Sequence, residues 1–544
     1  MPYVVTQSCC SDASCVLACP VNCIHPAPGE PGFAESPMVY IDAATCVDCG
    51  ACTTACPVDA IKPHTQLLTT EIPFIAAAAS YYSEFPHADR TPLALVPQVD
   101  RPRRGTEIRI AIVGAGPAAM YAADELLKYP DVVVDVIDRL PTPYGLVRAG
   151  VAPDHQRTKQ VARLFGMIER EEGFGYLLNL RVGEHVTDAE LHAHYHAVIY
   201  ATGASSDRSL GIEGEDLAGS FSATAVVGWY NGHPDYRDLE VDLSSPRVVI
   251  VGNGNVALDV ARVLTLAPER LATTDIADHA WEALRHSAVE EVVVLGRRGA
   301  DGAAFTLPEV IGLLALPDVD VIVEGEITGD SEIAHLLIEA AARPQDPSRR
   351  RIVLRFNTAP VRICGEEQVT GLEVASTVVV DGRVELTEQR EIIDTAMVLR
   401  SVGYRGVPVA DLPFDQDTAT IPNEAGRVAV GTYVTGWIKR GPRGFIGTNK
   451  SCAEETVASL LADLDAGLLS SPSGTRADFA RLAATRQPDL IDSRGWAAID
   501  AHERAAGGDR RPRRKFTSTD EMVAVARPAQ VDRPSRRRWR NLVG

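Results

Sequence analysis

Nine of the eleven cysteines lie before residue 57, which leaves only Cys364 and Cys452 for the rest of a 544-residue chain. The run Cys46-x2-Cys49-x2-Cys52-x3-Cys56-Pro57 spaces three thiolates so that they can take three corners of one cubane iron–sulfur cluster. The proline turns Cys56 away towards a second cluster. Structural zinc would pair two short cysteine hooks or add histidines. A secreted disulfide module would need an export signal, and the opening Met1-Pro2-Tyr3-Val4-Val5-Thr6 is not one. Upstream lies a degenerate copy, Cys9-x2-Asp12-x2-Cys15-x3-Cys19-Pro20, with Asp12 where the second cysteine would stand. Cys9, Cys15 and the crossed-over Cys56 can therefore hold a 3Fe-4S cluster, or a 4Fe-4S cluster whose last iron takes Asp12 or solvent. Cys19, Cys46, Cys49 and Cys52 offer a full set for a second, 4Fe-4S cluster. Cys10 and Cys23 are left over and are expected to be buried small side chains, although Cys10 could replace Cys9 as a ligand.

A second kind of chemistry is written in glycines. Ile110-Ala111-Ile112-Val113-Gly114-Ala115-Gly116-Pro117-Ala118-Ala119 reads as a buried strand entering a glycine turn and a helix. Gly114 allows the turn, Gly116 lets the backbone approach a pyrophosphate, and Ala119 lets the helix pack on the strand. The next strand, Val132 to Ile137, ends in Asp138, which can accept hydrogen bonds from a ribose diol. A second cradle follows at Gly252-Asn253-Gly254-Asn255-Val256-Ala257. The strand after it, Glu291 to Leu295, ends in Gly296-Arg297-Arg298, where an NAD site would present a carboxylate. Two guanidiniums suit a 2'-phosphate, so this cradle is expected to take NADP(H). Residues 265–290 lengthen the usual spacing and read as an insertion containing the helix-forming Glu282-Ala283-Leu284-Arg285.

The elements that must position these residues divide the chain. Residues 1–64 form a two-cluster module and 65–106 a partly ordered tether with a helical patch around Phe74 to Tyr81, expected to pack in part on the body. Residues 107–205 and 401–525 supply one dinucleotide domain, 206–400 the other, and 526–544 a basic tail. Hydrophobic residues at 45% allow sizeable cores, and a net charge of -20 argues against a nucleic-acid binder. No run approaches the ~20 apolar residues of a membrane span, and the expected compartment is the cytoplasm. The first 64 residues hold Asp12, Glu30, Glu35, Asp42, Asp48 and Asp59 against Lys62 alone, which suggests docking on Lys439, Arg440 and Arg443. The basic runs Arg511-Pro512-Arg513-Arg514-Lys515 and Arg536-Arg537-Arg538-Trp539-Arg540 are expected to be solvated.

Past Asp138 comes Leu140-Pro141-Thr142-Pro143-Tyr144-Gly145-Leu146-Val147-Arg148-Ala149-Gly150-Val151-Ala152-Pro153-Asp154-His155, a loop long enough to wrap a large cofactor. It closely resembles the adrenodoxin reductase family of ferredoxin–NADP reductases. The resemblance continues through Tyr200 to Ala204, the second cradle, Gly296 to Gly299 and Thr435 to Lys450. Residues 1–64 resemble the seven-iron and eight-iron bacterial ferredoxins, including the Cys-Pro-Val that closes both runs. The fusion looks like the two-module reductases of actinobacteria.

The resemblance implies two doubly wound, Rossmann-like α/β domains, the NADP domain inserted in the FAD domain, behind an α+β ferredoxin-like module. It puts Ala118, Asp138, Leu146, Val182, Trp437, Gly444, Phe445 and Ile446 against FAD. Arg208, Asn255, Val256, Ala257, Leu258, Glu309 and again Gly444 fall near NADP. Two residues depart from the family's pattern: Phe445 replaces a smaller aliphatic residue, and Gly312 stands where a second glutamate is expected. Without that glutamate His155 would lack its carboxylate partner and lose a protonation role. The implied activity passes a hydride from NADPH to FAD and then single electrons through the clusters to a ferredoxin or a cytochrome P450. A glutamate synthase small-subunit-like protein is not expected to carry Gly145 to Arg148 followed by Ala152 to His155. A disulfide reductase would need a Cys-x-x-Cys after Cys56, and an iron–sulfur redox sensor would not oxidise NADPH.

Overall fold

The apolar run Ile108–Val113 lies at the centre of a seven-stranded sheet. The strand order is Arg427–Ala429, Thr432–Val434, Ala197–Tyr200, Ile108–Val113, Val132–Asp138, Phe174–Leu178 and Ile491–Asp492. The five inner strands are parallel and covered on both faces, so Ile110, Ala111 and Ile112 are fully buried. Because Arg427–Ala429 and Thr432–Val434 return to this sheet from beyond residue 400, the strands from Ser220 to Arg400 belong to an inserted domain. Its own six-stranded parallel sheet has the order Ser220–Ser222, Met397–Arg400, Arg247–Val251, Glu291–Leu295, Arg350–Arg355, Val319–Glu324. A three-stranded antiparallel sheet, Thr358–Gly365, Val369–Val380 and Arg383–Asp394, packs beside it and was not anticipated. This is a computed structural model describing residues 2–89, 91, 93, 105–325, 327 and 329–531. The basic runs at 101–104 and 536–540 lie outside the described residues.

The N-terminal module repeats its own geometry. Two short helices, Ser14–Ala18 and Ala51–Ala55, follow left-handed residues at Ala13 and Gly50. Each ends at a cysteine before a proline, Cys19 with φ -77° and ψ 116° and Cys56 with φ -76° and ψ 117°. Positive φ recurs at equivalent places, Ser11 with Asp48 and Asn22 with Asp59. The strands Tyr3–Val5 and Ile61–Pro63 pair, as do Ile24–His25 and Tyr40–Ile41. The module shares one continuous buried core with the first dinucleotide domain.

The tether packs in part on the body, where Glu71 lies 3.6 Å from Arg157, but its helix, Pro73–Glu84, packs mainly on the cysteine-rich module: Tyr81 stacks on Tyr40 at 4.5 Å, and the Tyr82 hydroxyl donates to the carbonyls of Cys23 and Tyr40. One expectation needs correction. The run Arg511 to Lys515 is not solvated. Lys515 is buried 2.8 Å from Asp275, Arg513 bonds Asp500 and Glu503, and Arg511 and Arg514 clasp Asp278. Asp275 and Asp278 belong to the segment that lengthens the second cradle, so that segment anchors the C-terminal region. No helix among the described residues is long and apolar enough to cross a membrane.

Candidate functional site

Gly114 has φ +107°, and a Cβ there would stand 2.4 Å from the Ala201 carbonyl oxygen. The helix Pro117–Leu127 starts at Gly116 with no side-chain cap, and no heavy atom lies within 4 Å of where a Gly116 Cβ would be. Free N–H groups above open space suit a pyrophosphate. Ala118 and Ala119 are buried on this helix, and the close approach of Gly436, whose Cβ would meet Ala118 at 2.6 Å, brings the segment after Val434 onto it. Asp138 ends its strand, with its oxygens accepting from Ala115 N at 2.7 Å and Leu140 N at 2.8 Å, and burial pushes its carboxyl up. The Asp138 carbonyl takes Leu180 N, which seats the Val182 loop beside it.

The loop after Asp138 folds down as a lid. Gly145, at φ +47°, would put a Cβ 3.1 Å from Gly116 Cα, and Leu146 stays 37% exposed on the helix Leu146–Ala149. Arg148 forms two hydrogen bonds to Glu503, whose side chain is fully buried, so the C-terminal region locks the lid. Trp437 donates to the Arg443 carbonyl at 3.2 Å. Gly444, at φ +79°, presses on Thr448, Phe445 N bonds Thr448 Oγ1, and Asn449 Nδ2 holds the carbonyls of Phe445 and Ile446.

The second cradle repeats the first. Gly252 has φ +105°, with a Cβ position 2.3 Å from the Ser401 oxygen, and the space at Gly254 is open. The helix Asn255–Thr265 begins there, with Val256 partly buried and Ala257 and Leu258 fully buried. The Asn255 side chain is engaged with Thr306, at the start of the helix Leu307–Leu314 that carries Glu309. Arg297 and Arg298 are exposed at the strand end and make no ion pair among the described residues. The Arg208 N–H bonds Gly403 O, next to the two-stranded ribbon in which Ser206–Asp207 pairs with Tyr404–Arg405.

His155 differs from expectation, because it has carboxylates about it. Its Nδ1 lies 3.9 Å from Asp259 Oδ1, and one atom each of His155, Asp259 and Glu309 fall within 4.8 Å of one another. Arg262 bonds Asp154 and Asp259, while its buried Nη1 lacks a hydrogen bond and sits 3.8 Å from Glu309 Oε2. Burial opposes ionisation at Asp154, yet Arg262 holds that carboxyl down to about 2. Burial pushes Glu309 up against the pull of His155 and Arg262. Asp259 and Arg262 lie on the helix of the second cradle, and sequence reasoning missed both.

In the cysteine-rich module the two expected ligand sets separate. Cys19, Cys46, Cys49 and Cys52, with Cys23, line one small pocket, so these thiols converge as a cluster would require. The Cys23 thiol lies 3.4 Å from Cys19 Sγ, and hydrogen bonding between the two holds Cys19 below the ordinary thiol range. Cys9, Cys15, Cys56 and Asp12 are electrostatic neighbours in the other half. Burial pushes Cys9 up to about 11 and raises Asp12 as well; a bound cation would reverse this, since ligand thiols must be deprotonated. Cys10 is buried at the boundary, where its carbonyl accepts Gly447 N at 2.7 Å. A Cβ on Gly447 would stand 2.2 Å from the backbone of Ser11 and Asp12. The cation facing Asp12 is Lys450, whereas Lys439 and Arg440 are tied up in their own domain by Glu455 and Asn449.

Comparison with known proteins agrees with this arrangement. The pyridine nucleotide-disulphide oxidoreductase family matches residues 108–435, and the 4Fe-4S binding domain family matches 39–62, which contains the Cys46–Cys56 run alone. A probable ferredoxin/ferredoxin–NADP reductase of Mycobacterium tuberculosis is 51% identical over 99% of this chain and 97% of its own length. The NADPH-ferredoxin reductase FprA of the same organism is 46% identical over 76% of this chain and 98% of its own. The solved structure of that FprA in complex with NADPH superposes with a TM-score of 0.73 at 44% identity, covering 77% of this chain and 99% of that one. With likeness running the full length of both the cysteine-rich module and the two dinucleotide domains, the chain belongs to the ferredoxin/ferredoxin–NADP reductase family.

Proposed function

We propose that this chain takes reducing equivalents from NADPH at the Gly252 cradle and delivers them singly to a ferredoxin-type acceptor at the exposed tip Val47 to Cys49. The protein is an NADPH-dependent ferredoxin reductase. When bound, FAD accepts a hydride and iron–sulfur clusters accept single electrons, a two-to-one conversion that side chains cannot perform. The chain's own residues hold, order and insulate these groups. In this reading Gly114, Gly116 and Asp138 seat FAD under the Gly145–Ala149 lid. Gly252, Gly254, Arg297 and Arg298 seat NADPH.

The observation that carries the reading is the contrast between the two cysteine loops. The Cys9–Cys15 loop is sealed against Gly447 and Lys450 of the flavin domain, while Val47 is 58% exposed and Cys49 is exposed beside it. Cys9, Cys15 and Cys56, with Asp12, thus make an inner site for a 3Fe-4S or 4Fe-4S cluster. Cys19, Cys46, Cys49 and Cys52 make an outer 4Fe-4S site. An apolar tip flanked by Asp48 suits a small carrier with a basic docking face, and a cytochrome P450 is the other acceptor class. The proposed compartment is the cytoplasm, whose reducing conditions keep thiols free to ligate clusters. The test is Cys49→Ala in the full chain, titrated anaerobically with NADPH. Flavin bleaching and the low-temperature EPR response of the inner site should persist while reduction of an added ferredoxin stops. Continued ferredoxin reduction would refute the outer port.

A further inference from the structure

The residue that departs from the reductase pattern at 312 meets the cysteine-rich module. Gly312 lies in the helix Leu307–Leu314, one turn after Glu309. Gln7, two residues before Cys9, reaches across the boundary, and its Nε2 donates to Glu309 Oε2 at 3.2 Å. A Cβ on residue 312 would stand 2.2 Å from Gln7 Nε2 and 2.4 Å from its Oε1. Only a residue without a side chain admits the amide. The other groups about this carboxylate are His155, Asp259 and Arg262, with Asp154 behind Arg262. None of the three neighbours donates a hydrogen bond to Glu309, since Arg262 Nη1 remains 3.8 Å away.

We infer that the ferredoxin module completes the NADPH site: Gln7 is a positioning residue that holds the Glu309 carboxylate, and Gly312 is the opening that lets it in. The inference rests on the assignment of Glu309 to the nucleotide site. Its consequence is reciprocal linkage, because whatever seats the module at the Glu309 helix favours NADPH, and bound nucleotide favours the seated module.

The test uses the full-length protein with its cofactors and the variants Gln7→Ala and Gly312→Ala. The added methyl displaces only the end of a flexible side chain, so the fold should stand. Calorimetry with NADP+ should show each variant weakened about tenfold, the equivalent of one charge-assisted hydrogen bond. The double variant should be no weaker than either single, because both remove the same contact. Iron content, flavin content and Tm should match the parent. Gln7→Glu sets a second carboxylate against Glu309 and should weaken binding further than Gln7→Ala. Affinities within about twofold of the parent, or losses that add in the double variant, overturn the inference. A parent protein that fails to bind NADP+ sinks the site assignment, and this inference with it.

Discussion

The two cradles have nearly the same backbone and different surroundings. Their first glycines sit at φ +107° and +105°, pressed against the carbonyls of Ala201 and Ser401. Their helices start from Gly116 at φ -80°, ψ -175° and from Gly254 at φ -83°, ψ 177°. The differences lie at the next strand's end and overhead. The first has the half-buried carboxyl of Asp138 and a lid tied down through Arg148 to Glu503; the second has the exposed Arg297 and Arg298. Repeated glycine geometry provides a pyrophosphate seat twice. In the reading proposed above, charge at the strand end selects the nucleotide, and the tied lid separates a cofactor that stays from one that must leave after each turnover.

The largest expected break in this comparison is Glu503→Gln. It leaves Arg148 in a buried place without its charge partner and Arg513 with Asp500 alone, and should cost about 3–5 kcal/mol. The readout is a lowered Tm with flavin lost on gel filtration and no matching loss of NADP+ affinity per flavin-loaded molecule. Acid should act in the same direction: burial raises the Glu503 carboxyl, but Arg148 and Arg513 hold it below the usual range on balance. Its contribution is therefore complete above the ordinary carboxyl pKa and fades as pH falls below it. Next come Gly114→Ala and Gly252→Ala, each about 2–4 kcal/mol from positive φ and a carbonyl in the way. The first should yield protein that keeps its iron but lacks flavin, the second flavin-loaded protein unable to bind NADP+. Loss of flavin from both would show that the cradles are not independent.

Arg297→Ala combined with Arg298→Ala should lower the NADPH-over-NADH preference in kcat/KM about a hundredfold, the worth of two lost charge-assisted contacts. An unchanged preference would refute charge as the selector. Gly254→Ala is the mildest, because nothing lies within 4 Å of the new methyl. Tm should hold while NADP+ affinity falls by about 1–3 kcal/mol, the methyl standing where the pyrophosphate sits.

Legibility followed the range of the interactions. The Cys46–Cys56 run and both glycine turns could be read because ligand spacing and turn geometry are set within about ten residues. His155 was misread because its carboxylate neighbours, Asp259 and Glu309, come from helices more than a hundred residues away. The run Arg511 to Lys515 looked solvated because nothing local announces Asp275, Asp278 and Glu503. Gly312 looked like a missing carboxylate; in the fold it is the space that Gln7 fills.

The sequence by itself determined which groups this protein is built to hold: thiolates at cluster spacing, glycines at two nucleotide turns, an aspartate after one and two arginines after the other. Only the tertiary structure decided their order. It buried the Asp12 half of the module against Gly447, left the Cys49 half at the surface, and brought Gln7 to Glu309. The physical reason is that ligand and turn geometry are local properties of the chain. Which of two equivalent loops faces the flavin domain depends on packing between surfaces that the chain brings together only when folded.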